Sequence, residues 1–123
     1  MSDHYFTATH PTARKEHTCH MCSRTIGKGE TYRRQGYVFD GRRSHTKVCE
    51  QCAYFAEALF KAGFESEEGG WAYLPELDSG EVAYCGFSKP HDLYRHKWRR
   101  YDGHLYTVSE IKSITDPRGA NRG

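Results

Sequence analysis

The clearest periodicity of apolar side chains begins just after position 49. Four of them recur with the spacing i, i+3, i+4 and i+7 that defines one face of an α-helix: Cys52, Phe55, Ala56 and Leu59. Glu57 and Lys61 lie one turn apart on the opposite face, where they can form an ion pair. Gly63 follows at a position suited to ending the helix. The pattern predicts an amphipathic helix over residues 50–62.

Strand-like residues on both sides of Asp40-Gly41 predict a β-hairpin, because Asp-Gly tolerates the positive φ angles of a type I′ turn. With a two-residue turn, Val38 opposes Arg43 and Arg34 opposes Lys47. Opposed residues share a face, so one face carries four basic or imidazole side chains: Arg34, Arg43, His45 and Lys47. Like charges directly opposite each other repel, which predicts an anion-binding surface. The alternative is that these long side chains extend into water.

A second Asp-Gly dipeptide at 102–103 predicts another hairpin. Tyr101 then opposes His104, and Arg99 opposes Tyr106, all on one face. Such a platform of guanidinium, phenol and imidazole suits the stacking of unpaired bases beside phosphate contacts. It also suits a protein partner, because Tyr and Arg are common interface anchors. The candidate binding residues are therefore Arg34, Arg43, Lys47, Arg99, Tyr101, His104 and Tyr106.

The second half of the chain is rich in aromatic residues, which we expect to form a core on the apolar face of the 50–62 helix. The expected core residues are Trp71, Tyr73, Val82, Tyr84, Phe87, Leu93, Tyr94 and Trp98. Cys85 has apolar neighbours in the run Val-Ala-Tyr-Cys-Gly-Phe, so we expect a buried structural thiol. A short final helix is expected to begin near Ser109, and residues 65–70 to form a loop.

Four of the five cysteines form two Cys-x-x-Cys pairs, Cys19/Cys22 and Cys49/Cys52, separated by 26 residues. Two thiolates on a tight turn bind one side of a tetrahedral ion, and a second pair completes the coordination sphere. The spacing predicts one structural Zn²⁺ ion with no open position for a substrate. A disulfide framework is the rival interpretation. The chain begins Met-Ser-Asp-His without an apolar signal segment, so we expect a reducing, cytoplasmic location that favours zinc.

Composition supports a metal-stabilised domain, because only 37% of the 123 residues are hydrophobic and the Cys-rich half has few aliphatic side chains. No apolar run approaches the ~20 residues needed to span a bilayer, which argues against a transmembrane role. Net charge is +2, but the charges form blocks. Residues 24–47 hold seven bases against two acids, residues 50–81 one base against eight acids, and residues 89–101 five bases against one acid. Two surfaces suited to anions are expected.

His91, Asp92 and His96 could lie together on a short helix begun by Ser88 and Pro90. A nuclease site would use such groups, but no recognised catalytic spacing is present and an ordinary solvated Asp–His contact is the alternative. We therefore expect no enzymatic activity.

The run from 19 to 32, Cys-His-Met-Cys-Ser-Arg-Thr-Ile-Gly-Lys-Gly-Glu-Thr-Tyr, precedes a predicted hairpin and then a helix that carries the second cysteine pair. This order resembles a treble-clef zinc finger of the PARP-type or LIM-like kind, and the small four-cysteine zinc proteins of bacteria and phages. The resemblance covers roughly residues 17–63. It implies a fold and a metal but not a function, because treble clefs serve DNA, RNA and protein partners alike.

The expected fold is small α+β: a zinc-stabilised treble-clef finger of knuckle, β-hairpin and helix, extended by a second aromatic-rich β-hairpin lobe. We expect a flexible arm at 1–16, the finger at 17–63, the extension packed on it at 64–115 and a disordered tail at 116–123. The leading hypothesis is an intracellular protein that binds nucleic acid through its two basic hairpins, with no membrane or evident small-molecule partner. The alternative is a protein-interaction module, such as a regulatory or phage-borne inhibitor that docks on a nucleic-acid-processing enzyme. A minor metal-dependent nuclease is the third.

Overall fold

A computed structural model describes residues 4–5, 8–39, 41–64 and 71–115 of the chain. Within these ranges the protein is a small mixed α/β structure with two antiparallel sheets and four α-helices. It divides into two compact units, residues 1–50 and residues 51–123. The predicted loop at 65–70 and tail at 116–123 lie outside the described residues.

The first unit contains five strands, numbered in chain order: β1 (His4–Tyr5), β2 (His17–Thr18), β3 (Thr25–Ile26), β4 (Tyr32–Phe39) and β5 (Arg42–Cys49). One sheet has the order β1-β4-β5, and β2 pairs with β3 in a second sheet. The first predicted hairpin is confirmed with its register, because Arg34 pairs with Lys47 and Val38 with Arg43. Gly41 adopts the left-handed φ of +76° that the turn chemistry anticipates.

Residues 1–16, expected to be a flexible arm, contribute to this sheet where the structure describes them. β1 pairs with β4. Thr9 exchanges two backbone hydrogen bonds with Arg34, at 3.0 and 2.9 Å, and the Ala13 amide donates to the Glu30 carbonyl at 2.8 Å. The physical reason is that β4 has a second edge, opposite β5, whose backbone groups need partners. A polar sequence without periodicity can satisfy that need through its backbone alone.

The described part of the second unit is helical. Its four helices are α1 (Glu50–Lys61), whose first residue belongs to the first unit, α2 (Ser79–Tyr84), α3 (Ser88–Arg95) and α4 (Val108–Thr115). A single 3₁₀ turn spans Leu74–Glu76. The helix predicted over 50–62 is confirmed to within one residue. The side chain of Asp78 begins α2 by accepting from the Gly80 amide at 2.9 Å.

An aromatic cluster around Phe55 of α1 forms the core of the second unit. Its ring centroid lies 5.6 Å from that of Trp98, 6.3 Å from Tyr94 and 6.4 Å from Phe87. Val82, Leu74 and Ile111 are buried as well. The predicted aromatic core is therefore present.

Of the residues expected to be buried, Trp71 and Leu93 are half-buried and three are exposed. Tyr73 is 39% exposed, Tyr84 is 91% exposed, and Cys85 is exposed at the C-terminal end of α2. The prediction treated the run from 82 to 87 as uniformly apolar. In the short helix α2, however, Val82 is the one buried residue, and Tyr84 and the following Cys85 face outward before Phe87 returns to the core.

The second predicted hairpin is wrong in extent and in register. A single bridge joins Arg99 to Leu105, so Arg99 does not oppose Tyr106. The Arg100 amide donates to the His104 carbonyl at 2.8 Å and the Gly103 amide donates to the Arg100 carbonyl at 2.9 Å, so the turn contains three residues, 101–103. A register change of one residue exchanges the two faces of a hairpin. The faces assigned from the sequence therefore do not apply here.

Candidate metal centre and basic surfaces

The four cysteines of the two Cys-x-x-Cys pairs form a buried cluster. Their sulfur atoms all lie within 4.8 Å of one another. The Sγ atoms of Cys22 and Cys49 are 3.9 Å apart. None of the five cysteines forms a disulfide bond. The predicted ligands Cys19, Cys22, Cys49 and Cys52 are thus brought together in an arrangement that can hold a metal ion.

Local backbone geometry positions the first pair. The Cys19 amide donates to the Arg24 carbonyl at 2.8 Å, and the Ser23 amide donates to the Cys19 carbonyl at 3.0 Å. Ser23 adopts a φ of +66°, which closes the turn that links β2 to β3. The second pair needs no such turn, because Cys49 ends β5 and Cys52 lies in the first turn of α1.

Backbone amides converge on the sulfur of Cys19. The amides of Met21, Cys22 and Cys49 lie 3.4, 3.5 and 3.3 Å from its Sγ. Three donors directed at one sulfur favour the thiolate over the thiol, because the charged form is the stronger acceptor. Thiolate is the form in which cysteine binds metal. The site is therefore built for a negatively charged sulfur.

Two buried side chains support the cluster. The indole Nε1 of Trp98 donates to the Cys52 Sγ at 3.1 Å, within the second unit. Arg24, only 3% exposed, binds Glu30 through two contacts of 2.9 and 3.2 Å. Burial lowers the pKa of Arg24, but its hydrogen bonds to Glu30 and Cys49 and the charges of these two groups raise it further, so the net change is upward. A fixed positive charge beside Cys49 offsets part of the charge of clustered thiolates.

Neither support was predicted from the sequence. Arg24 counted there among the surface bases of residues 24–47, whereas the structure buries it. The Trp98 contact joins residues 46 positions apart, and no local pattern signals it.

The donor set fits a tetrahedral soft cation. Four sulfurs placed ~2.3 Å from a tetrahedral zinc ion lie about 3.8 Å from one another. The 3.9 Å between Cys22 and Cys49 agrees with that value and is too long for a covalent S–S bond.

The first basic surface lies on the β4–β5 hairpin. His45 lies between two cations: its Nδ1 is 3.4 Å from a guanidinium nitrogen of Arg34, and its Nε2 is 3.2 Å from the Nζ of Lys47. The structure thus brings the predicted Arg34 and Lys47 together. Arg43 is exposed opposite Val38, farther along the hairpin.

A groove of about 420 Å³ adjoins this surface, and its lining residues are His17, Thr18, Cys19, His20, His45, Thr46 and Lys47. Burial and the neighbouring charges of Arg34, Lys47 and His17 lower the pKa of His45. Burial and the charges of Lys47 and Lys15 lower the pKa of His17. The groove is therefore a region of positive potential even with its imidazoles neutral.

The second basic surface is a hollow of about 590 Å³ in the second unit, which we call the α3 hollow. Its lining residues are Asp92, Leu93, Arg95, His96, Lys97, Arg99, Arg100, Tyr101 and Tyr106. Four permanent cations face one carboxylate there. Tyr101 is 98% exposed at this hollow. The carbonyl of Tyr106 accepts from the Gln51 side chain at 3.0 Å, which anchors that wall to α1.

Three of the four binding residues predicted in this region, Arg99, Tyr101 and Tyr106, meet at the hollow although the predicted hairpin is wrong. The fourth, His104, turns away and contacts Glu110 at 3.0 Å. Sequence reasoning missed Arg95, Lys97 and Arg100 as candidates. The signal that could have found them was the block of five bases against one acid in residues 89–101.

His91, Asp92 and His96 lie on α3 and at its C-terminal end, as expected, but they do not converge. His91 is buried, and its ring stacks on that of Tyr94 with centroids 5.9 Å apart. Its burial differs from the solvated position expected. Asp92 and His96 are exposed, and the Nδ1 of His96 lies 3.9 Å from the Oδ1 of Asp92.

Across the described ranges, every helix is too short or too polar to cross a bilayer. Comparisons of the chain with models of protein families, with curated proteins and with solved structures found no significant match.

Proposed function

We propose that the protein is a zinc-finger protein that binds nucleic acid through its basic surfaces. The four-cysteine cluster supports one structural Zn²⁺ ion, because thiolates select zinc over harder cations and a complete set of four leaves no open position. The order of knuckle, hairpin β4–β5 and helix α1 is consistent with a treble clef. On this proposal the metal stabilises the fold and takes no part in chemistry.

The observation that carries the nucleic-acid proposal is the α3 hollow. Its four cations suit the phosphates of a strand, and Tyr101 presents a bare aromatic ring to which an unpaired base can stack. The Tyr101 side chain is almost fully exposed, so it contributes no burial to the core of the protein. Stacking on an unpaired base would bury its ring. A concave surface lined by basic and aromatic residues is the usual form of a single-strand binding site.

The test is fluorescence anisotropy with labelled single-stranded DNA and RNA at low salt. The double variant Arg95→Glu/Arg100→Glu should bind at least tenfold more weakly, with a flatter dependence on salt, because phosphate contacts and counterion release are lost. The matched control is Lys61→Glu/Lys112→Glu, which changes the net charge equally at exposed helix positions outside the hollow.

Base stacking is tested separately. Tyr101→Ala should weaken single-strand binding by ~1–3 kcal/mol, whereas Tyr84→Ala, an equally exposed tyrosine outside the hollow, should have no effect. Absence of wild-type binding to DNA and RNA at low salt would overturn the proposal, as would equal losses in the two double variants. In either case a protein partner becomes the leading hypothesis.

A further inference from the structure

The cluster of Arg34, His45 and Lys47 on the β4–β5 hairpin has an unusual hydrogen-bonding problem. A guanidinium nitrogen of Arg34 lies 3.4 Å from one ring nitrogen of His45, and the ammonium of Lys47 lies 3.2 Å from the other. Both neighbours are donors only. A neutral imidazole has one N–H and one lone pair, so it can accept from just one of them. The other contact then places a donor against a donor.

Protonating His45 alone makes the problem worse, since both ring nitrogens then carry hydrogen beside two cations. The charged groups that face the ring are Arg34 on β4, Lys47 on β5 and His17 on β2, and together with burial they lower the pKa of His45. The adjoining groove is lined by His17, Thr18, Cys19, His20, His45, Thr46 and Lys47, and no carboxylate is among these described lining residues. The Cys19 sulfur belongs to the four-cysteine cluster. At the His45 ring itself, the two cations supply donors only, and no carboxylate of the groove accepts from them.

An anion with several acceptor oxygens would resolve both difficulties at once. It would accept from Arg34 and Lys47, and its charge would stabilise a protonated His45 that donates a third hydrogen bond. A tetrahedral phosphate has the required number of oxygens and can present them in several directions. The hairpin ladder holds Arg34 and Lys47 as direct cross-strand partners, so the distance between them is set before any ligand arrives.

We propose that Arg34, His45 and Lys47 form a phosphate-binding site, and that His45 takes up a proton from solvent when the phosphate binds. No covalent bond changes in this step. The site itself stands on the geometry of the cluster; only its occupant in the full protein, a phosphate of a nucleic-acid strand, rests on the proposed function. The same chemistry would bind a terminal phosphate monoester or an internal phosphodiester.

The first experiment measures the pH dependence of binding to a labelled single-stranded oligonucleotide. Phosphodiesters keep their charge between pH 6 and 8, so a change in affinity reports on the protein. Wild-type protein should bind about fivefold more tightly at pH 6 than His45→Gln does, with the gap closing at pH 8, because a charged donor is stronger than a neutral one. The control His10→Gln removes an exposed histidine outside the groove and should behave as wild type. An unchanged pH slope in His45→Gln would overturn the proposal.

The second experiment uses inorganic phosphate and does not depend on nucleic-acid binding. NMR should show saturable shifts of the His45 ring signals on phosphate addition, and these shifts should be absent from the double variant Arg34→Gln/Lys47→Gln. Sodium chloride of equal ionic strength is the control. If phosphate moves the His45 signals no further than chloride does, the site does not exist. If oligonucleotides fail to bind but phosphate shifts His45, the proposed function falls and this site stands.

The source of the phosphate is resolved by comparing oligonucleotides with and without a 5′-phosphate. Equal affinity assigns the site to internal phosphodiesters, and a gain of threefold or more that is lost in His45→Gln assigns it to a terminal monoester.

Discussion

Two Asp-Gly dipeptides occur in this protein, and the regions around them fold differently. Around Gly41, eight residues of β4 pair with eight residues of β5. Around Gly103, which has a similar left-handed φ of +91°, a single bridge joins Arg99 to Leu105. Since both turns contain the same dipeptide, the difference lies in what flanks them.

The chain before the second turn is occupied in ending α3. Lys97 and Trp98 adopt φ angles of +56° and +63°, and their amides donate to the carbonyls of Tyr94 and Leu93. The chain after the turn is occupied in beginning α4, where Thr107 and Glu110 form a reciprocal capping box. Only eight residues, 99–106, remain between Trp98 and Thr107, too few for a long ladder. A turn signal therefore specifies a reversal of the chain, and its neighbours decide how far the strands extend.

If the four-cysteine cluster holds zinc, as we propose, loss of the metal should have the largest effect, because the long hairpin ends at Cys49 of that cluster. Cys49→Ser removes a fully buried sulfur at the end of β5 and should destabilise the first unit by more than ~5 kcal/mol, since zinc binding is coupled to folding. Elemental analysis should show loss of zinc, and hydrogen exchange should show loss of protection in β4 and β5. Cys85→Ser, at an exposed thiol, should keep one zinc per chain. Native protection in zinc-free Cys49→Ser would contradict this account.

The Trp98 indole allows a more specific test. Trp98 lies just after α3, before the second turn, and its indole donates a hydrogen bond to Cys52 of the four-cysteine cluster. Trp98→Phe keeps much of the ring but deletes the hydrogen bond to Cys52, so zinc affinity should fall by about 10- to 100-fold. Competition with a chelating dye measures this. The matched control is Trp71→Phe, whose indole donates to Glu57 at 2.8 Å instead. Equal affinities in the two variants would show that the hydrogen bond to sulfur is unimportant.

The capping box gives a smaller expected effect that should be confined to the helical unit. Thr107→Ala removes the side-chain acceptor for the Glu110 amide, 3.2 Å away, and should cost about 1 kcal/mol in the free energy of unfolding. Ser109→Ala, inside the same first turn, should be nearly neutral. Denaturant unfolding measures the free energy of unfolding of both variants, and amide hydrogen exchange shows where protection is lost. If Thr107→Ala lost as much exchange protection in β4–β5 as in α4, the cap would not act locally.

The smallest expected effect is a pH dependence from His91. Burial and the charge of Arg95 lower its pKa in the folded state despite Asp92, so the unfolded chain binds a proton more readily. His91 should therefore destabilise the fold as pH falls below the ordinary histidine range, and this loss should be absent at higher pH. His91→Gln should show a smaller decrease in unfolding temperature between pH 7.5 and 5.5 than wild type, and exposed His10→Gln should match wild type. Identical decreases in all three proteins would contradict the lowered pKa.

Local patterns were enough for the elements whose signals lie within a few residues of each other. The i, i+3, i+4, i+7 spacing predicted α1, and the first Asp-Gly dipeptide predicted both the hairpin and its register. The Cys-x-x-Cys spacing predicted which four sulfurs would meet. Each of these predictions rests on residues that are close in the sequence. The two cysteine pairs are far apart in the sequence, but the β4–β5 hairpin brings them together, and the Asp-Gly turn already predicted that hairpin.

Contacts between residues far apart in the chain could not be predicted from local sequence patterns. No local signal paired Trp98 with Cys52, buried Arg24 against Glu30 or paired β1 and Thr9 with the edge of β4. The α3 hollow is an instructive intermediate. The excess of bases over acids predicted a basic region at residues 89–101. The incorrectly predicted hairpin, however, placed its side chains on the wrong faces. The packing of the chain after α3 brings Arg95, Lys97 and Arg100 beside Tyr101. The sequence by itself determined the long hairpin, helix α1 and which four sulfurs come together. The tertiary structure decided which side chains are buried and which charges share a surface, because burial depends on neighbours that are distant in the chain.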